Sequence, residues 1–205
     1  MTTKYTTEHG EVIEVLHDLR DIKSGDIGLV SGKSFLSKTI QEFQELENKK
    51  GSHWNHAMVY QWIDGYLFVF EADKWGIRST PFKDYLFSNR DLLVLSHKTK
   101  RMEGTAQLRF MLPSCGATRY DKWNLVVAQA VKMLTFGRLW LGGSKPKDNR
   151  FICGEWAAYV WNNFYPGTFQ ENTAKVSPVE IWENTHFKHL YIDRELLIEQ
   201  LTTGM

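Results

Sequence analysis

Apolar and polar positions change their period several times along the chain, and each change marks an element. Asn55 to Ile63 and Tyr66 to Asp73 are rich in β-branched and aromatic residues, with Asp64-Gly65 between them. This is the signature of two antiparallel strands joined by a two-residue hairpin turn. Ahead of them, Asp18 to Asp26 leads into Ile27-Gly28-Leu29-Val30, a short buried strand ending at Ser31-Gly32. Phe35, Leu36, Ile40, Phe43 and Leu46 then recur at helical spacing behind Ser34, a good N-cap, which predicts a helix to about Glu47. After the hairpin, Trp75 to Ser79 and Asp91 to Ser96 read as short strands, and Pro81 to Phe87 as a helical turn. Lys98 to Gly104 reads as a charged loop, and Leu112 to Gly116 breaks any regular element.

Trp123, Val126, Val127, Ala130, Val131 and Leu134 give one apolar helical face after Tyr120-Asp121, and Gly142 to Pro146 is an exposed loop. Phe151 to Trp161 begins another amphipathic helix, and Ser177-Pro178-Val179-Glu180 is a strong helix start with proline at the first helical position. The tail reads as a strand at Ile192 and a helix from Glu195 to Leu201, whereas the first residues read only as a polar segment. This succession of strands and helices predicts an α+β fold, an antiparallel sheet or small barrel packed against helices.

At 205 residues, 42% hydrophobic and 14% aromatic, the chain is long enough to bury a full core, and residues 1–205 are expected to form one domain with its core over about 20–192. Lys plus Arg number 25 and Asp plus Glu 24, so no global field gathers nucleic acid or anionic lipid, and no nucleic-acid partner is expected. No segment has the apolar run of a signal peptide or the ~18 uninterrupted apolar residues of a membrane span. The expectation is a soluble, cytoplasmic protein without stable membrane insertion, although a phage-type release needs no leader. Two cysteines, Cys115 and Cys153, make neither a disulfide framework nor a four-thiolate zinc site, and both are expected to be reduced.

Cys153 opens its helix, where unpaired amide N–H groups and the positive dipole end stabilise a thiolate. A thiol nucleophile needs a base and a group that orients the base. Of the seven histidines, His9, His17, His97, His186 and His189 lie in polar segments, while His56 opens an apolar strand. The two-residue turn fixes the hairpin register, so Met58 faces Glu71 and His56 faces Asp73. Glu71 is then the diagonal neighbour of His56 on the same sheet face, ~7–8 Å away at the backbone. Either carboxylate reaches the imidazole. Glu71 is preferred because it follows Phe68-Val69-Phe70, where an unpaired carboxylate is costly, while Lys74 follows Asp73 and the chain turns there. A zinc set of His53 and His56 with Glu71 or Cys153 is disfavoured, because residues three apart on a strand point to opposite faces. No metal and no cofactor are called for.

In this order the residues resemble the circularly permuted papain-like hydrolases of the NlpC superfamily, especially the YiiX-like group, with lecithin retinol acyltransferase-like proteins as relatives. The resemblance runs through Gly25-Asp26-Ile27, Ser52 to Val59, Phe70-Glu71-Ala72, Gly116 to Asp121, Ile152-Cys153-Gly154-Glu155-Trp156 and Ser177-Pro178. It departs from the family's Tyr-Cys-Ser-Glu-Leu pattern at Ile152, Gly154 and Trp156. It implies a permuted papain-like fold with Cys153 as nucleophile, His56 as general base and acid, Glu71 as orienting group, and Tyr120 on the pocket or oxyanion side. Trp54 and Glu155 are candidates for lining a substrate groove, although as a group the tryptophans suit the core better. The implied partner is a peptide such as a cell-wall peptide, or a lipid-like substrate with an acyl bond. The alternative is a catalytically silent peptide- or lipid-binding module on the same fold.

Overall fold

In the computed structural model, residues 2–6, 12–31, 53–117, 119–120, 150–173 and 176–203 are described. The helices expected over 34–47 and 121–134 and the loop at 142–146 lie outside the described residues. Among the described residues ten strands run β1 (Thr2–Thr6), β2 (Val12–Leu16), β3 (Ile27–Ser31), β4 (His56–Ile63), β5 (Tyr66–Asp73), β6 (Gly76–Pro81), β7 (Asp91–His97), β8 (Arg119–Tyr120), β9 (Arg150–Phe151) and β10 (Phe187–Ile192). The α-helices among the described residues are α1 (Phe82–Leu86), α2 (Gly104–Met111), α3 (Cys153–Phe164), α4 (Pro178–Trp182) and α5 (Arg194–Thr202).

Eight strands form one sheet in the order β1-β2-β10-β7-β3-β4-β5-β6, and β8 pairs with β9 separately. The sheet corrects the sequence expectation in two respects. It is open, with β1 and β6 at its edges, and it is mixed, because β10 runs parallel to β2 with Leu190 facing Glu14. A chain that returns from residue 187 to meet the first strands arrives through α3 and α4, so its direction is not constrained by a hairpin turn. The polar N-terminal segment forms β1 and β2, and α2 forms where no element was expected. The Glu103 carboxylate caps α2 by accepting from the Thr105 N–H at 2.9 Å and from the Ala106 N–H.

The hairpin has the register that its turn requires. Asp64 and Gly65 both have positive φ, 49° and 81°, as a type I′ turn demands, and Ile63 faces Tyr66, Trp62 faces Leu67 and Met58 faces Glu71.

The period-2 alternation of the central strands splits the core in two. One face carries Ile27, Leu29, Ala57, Val59, Phe70 and Leu95 against Trp156, Ala157 and Trp161 of α3. The other carries Val30, Met58, Tyr60, Val69 and Val94 against Phe82, Tyr85 and Leu86 of α1 and Leu197 of α5. The buried Trp161 indole donates to the Gly25 carbonyl at 2.9 Å and so ties α3 to the turn that enters β3. Among the described residues no helix is long and apolar enough to cross a membrane.

Candidate functional site

The two faces meet at the end of the sheet where β4 begins. Cys153 is the first residue of α3, after Ile152 in extended conformation at φ −96° and ψ 164°. Its side chain is buried, 4% exposed. His56 is the first residue of β4, opposite Val30 of β3, and its side chain is 19% exposed. Glu71 lies on β5 and is 1% exposed. Helix α3 therefore brings the thiol from one face, and the hairpin brings the imidazole and carboxylate from the other.

His56 Nε2 and Glu71 Oε2 are 2.6 Å apart. With Nε2 engaged, Nδ1 is the ring nitrogen left for the Cys153 thiol, which also hydrogen-bonds His56. Backbone hydrogen bonds from Ala57 and Gly154 reach the same sulfur. The Ala57 contact follows from the ladder: the β4–β5 register begins at Met58 opposite Glu71, one residue beyond Ala57. Of the two carboxylates that the hairpin offers, the structure pairs Glu71 with His56. Asp73 instead accepts from Arg78 Nε at 2.8 Å and from the Trp75 N–H at 2.8 Å, closing the turn into β6.

Electrostatics follow the contacts. For His56, burial by itself pushes the imidazole down, but hydrogen bonds and charge from Cys153 and Glu71 outweigh it and hold the ring up at about 10. For Glu71, burial pushes the carboxyl up, while His56, Tyr85 and Thr80 together hold it down at about 2. The Cys153 thiol is likewise pushed up by burial and brought below its ordinary range by His56 and the backbone donors. Cys115, half-buried and without such partners, is pushed up by burial. The arrangement favours a thiolate–imidazolium pair backed by a carboxylate.

Glu71 has further partners that sequence reasoning missed. Thr80 Oγ1 donates to Oε1 at 2.8 Å, Arg78 approaches the same oxygen at 3.3 Å, and the Tyr85 hydroxyl donates to Oε2. Arg78 was findable, since it faces Glu71 in the next hairpin. Tyr85 sits on α1 outside any strand register and left no periodic signal.

The remaining candidates lie around this cluster. Trp54 is buried in the core on the α3 side, with the His53 ring 4.3 Å away. Glu155 is 6% exposed, and its carboxylate accepts from the Ile152 N–H at 3.4 Å, at the start of its own helix. Tyr120 pairs through its backbone with Phe151, two residues before Cys153, and its side chain falls outside what is described. Gly154 is constrained by close approach: a Cβ there would meet the Val176 carbonyl oxygen at 2.4 Å. Among the described residues no three His, Cys, Asp or Glu side chains form a group able to hold a metal ion.

No protein-family model matches the chain, and no curated protein does. Among solved structures it is similar to the metalloprotein yiiX from Escherichia coli O157:H7, at 15% identity and a TM-score of 0.48, covering 82% of this chain and 95% of that one.

Proposed function

We propose that the protein is a thiol-dependent hydrolase on a permuted papain-like fold, cleaving an amide or ester acyl bond, with Cys153 as nucleophile, His56 as general base and acid, and Glu71 as orienting group. The observation that carries this reading is the imidazole held between a buried carboxylate at 2.6 Å and a thiol at a helix N-terminus. The Cys153 thiolate attacks the substrate carbonyl, forming a C–S bond and an oxyanion; the Cys153 backbone N–H is one donor suited to that oxyanion. As the C–N or C–O bond breaks, the His56 imidazolium gives its proton to the leaving group. Neutral His56 then takes a proton from water, the hydroxide attacks the thioester, and release of the acid restores the thiolate–imidazolium pair. Glu71 stays ionised throughout, fixing the ring and favouring its protonated form.

The substrate is a peptide, such as a cell-wall peptide, or a lipid-like acyl compound. Incubation with a mixture of peptidoglycan fragments and acyl lipids, followed by weighing the intact protein, tests both the chemistry and the substrate class. A mass increment that maps to Cys153 and vanishes in Cys153→Ala supports the reading. Ligand binding of equal strength in wild type and Cys153→Ala, with no adduct and no turnover of any acyl substrate, contradicts it in favour of a silent binding module.

A further inference from the structure

We infer that Tyr85 and Thr80 are positioning residues for the proposed reaction, two hydroxyls that hold one oxygen each of Glu71 and keep its carboxylate facing His56. The inference rests on the hydrolase reading.

Glu71 is pulled in two directions. On Oε2 it meets His56 at 2.6 Å together with the Tyr85 hydroxyl, while on Oε1 it meets Thr80 at 2.8 Å and the Arg78 guanidinium at 3.3 Å. Arg78 is 48% exposed on the edge strand β6 and already holds Asp73 at 2.8 Å, so it draws negative charge toward the sheet edge and away from His56. A carboxylate that is 1% exposed cannot take water in place of a lost donor. Tyr85 opposes that pull from the other side, because its ring is fixed on α1. Phe82 and Leu86 flank it in the core layer that also contains Leu197 of α5, and the Arg90 guanidinium lies 5.9 Å from its ring. Thr80, beside Pro81 at the end of β6, fixes the second oxygen. With both hydroxyls in place the carboxylate has one orientation, and it is the one that meets the imidazole.

The test is the titration of the His56 ring proton by NMR in wild type, Tyr85→Phe and Thr80→Val, with thermal unfolding of each variant as the control for stability. Both variants remove one hydroxyl and little volume. In wild type the midpoint is expected well above the ordinary 6.5. In Tyr85→Phe the carboxylate is free to turn toward Arg78, and the midpoint is expected to fall by about one pH unit, the tenfold that weakening its own charge-assisted bond to His56 corresponds to; in Thr80→Val it is expected to fall by less. A merely structural role lowers the melting temperature and leaves the midpoint where it was. An unchanged or higher midpoint in Tyr85→Phe, with wild type still elevated, overturns the positioning role while the hydrolase reading stands. Should Tyr85→Phe not fold, Thr80→Val decides by the same criterion. A wild-type midpoint near 6.5 instead overturns the hydrolase reading itself.

Discussion

Gly154→Ala places one methyl group where the chain has left no room. The added Cβ would lie 2.4 Å from the Val176 carbonyl oxygen and 3.1 Å from both the carbonyl carbon and Cα of Ser177. A carbon–oxygen contact of this kind settles near ~3.3 Å, so the opposing backbone must retreat by about 1 Å. It is poorly free to do so. The Val176 N–H donates to the Thr173 carbonyl at 2.9 Å, and Ser177 is locked into the capping box of α4, its N–H donating to Glu180 Oε2 at 2.7 Å. Overpacking of this size costs about 3 kcal/mol, and the better helix propensity of alanine returns about 1 kcal/mol. The net loss of about 2 kcal/mol corresponds to a fall of roughly 4–8 °C in melting temperature for a chain of this length. Thermal unfolding followed by circular dichroism measures it. Alkylation of Cys153 should slow in the same variant, because the strain falls on the first turn of α3. A melting temperature that rises by about 2–4 °C, as for an open helical glycine, would refute the close approach and with it the packing reason for glycine at this position.

Glu71→Gln keeps the shape and removes the charge behind His56; hydrolysis of an activated aryl ester is expected to fall by about a hundredfold or more, and a loss under threefold would deny Glu71 its orienting role. Stability should depend on pH through the same pair. The Glu71 carboxyl is held at about 2 against an ordinary 4.5, so its contribution is complete above about pH 4.5 and is lost as pH falls toward 2. The His56 imidazole is held above 6.5, so its contribution is complete below about pH 6.5 and is lost as pH rises toward about 10. Glu71→Gln should flatten the acid arm of urea-unfolding free energy plotted against pH, and an unaltered arm would contradict the assignment. Asp26 works in the opposite sense: burial outweighs the Lys23 N–H at 2.8 Å and the Ser96 hydrogen bond and pushes its carboxyl up to about 6, so stability is lost as pH rises from 3.8 through that value. Asp26→Asn should match wild type near pH 4 and exceed it by up to about 3 kcal/mol at pH 8 in urea titrations, and equal stabilities at both pH values would contradict this.

The hairpin was legible down to single facing pairs, because Asp64-Gly65 permits one turn type and a two-residue turn permits one register. That register brought His56 and Glu71 to one face. It left the choice between Glu71 and Asp73 open, since the choice depends on Arg78 and on the turn at Trp75. The helical opening at Cys153 was legible from its apolar period. The position of α3 across the sheet from His56 was not, because it is set by packing of Trp156 and Trp161 against β3, β4, β5 and β7, all far earlier in the chain. β1 and β2 escaped notice because Thr2 to Thr6 is largely exposed at a sheet edge and carries little apolar alternation. The parallel pairing of β10 with β2 joins residues near 14 and 190, a contact that no local pattern announces. Gly154 departs from the serine of the related pattern, and the reason became visible only when residues 176 and 177 were seen against it.

Competitive alkylation tests the account most directly. A limiting amount of iodoacetamide at about pH 6, followed by peptide mapping, asks which thiol is ionised below the ordinary cysteine range. Cys153, paired with His56, is expected to carry nearly all of the label and to lose it in a His56→Ala variant, with Cys115, pushed up by burial, becoming labelled only above the ordinary thiol range. Preferential labelling of Cys115, or a Cys153 rate that follows an ordinary thiol and is indifferent to His56, would contradict the claim that this helix start carries an activated nucleophile.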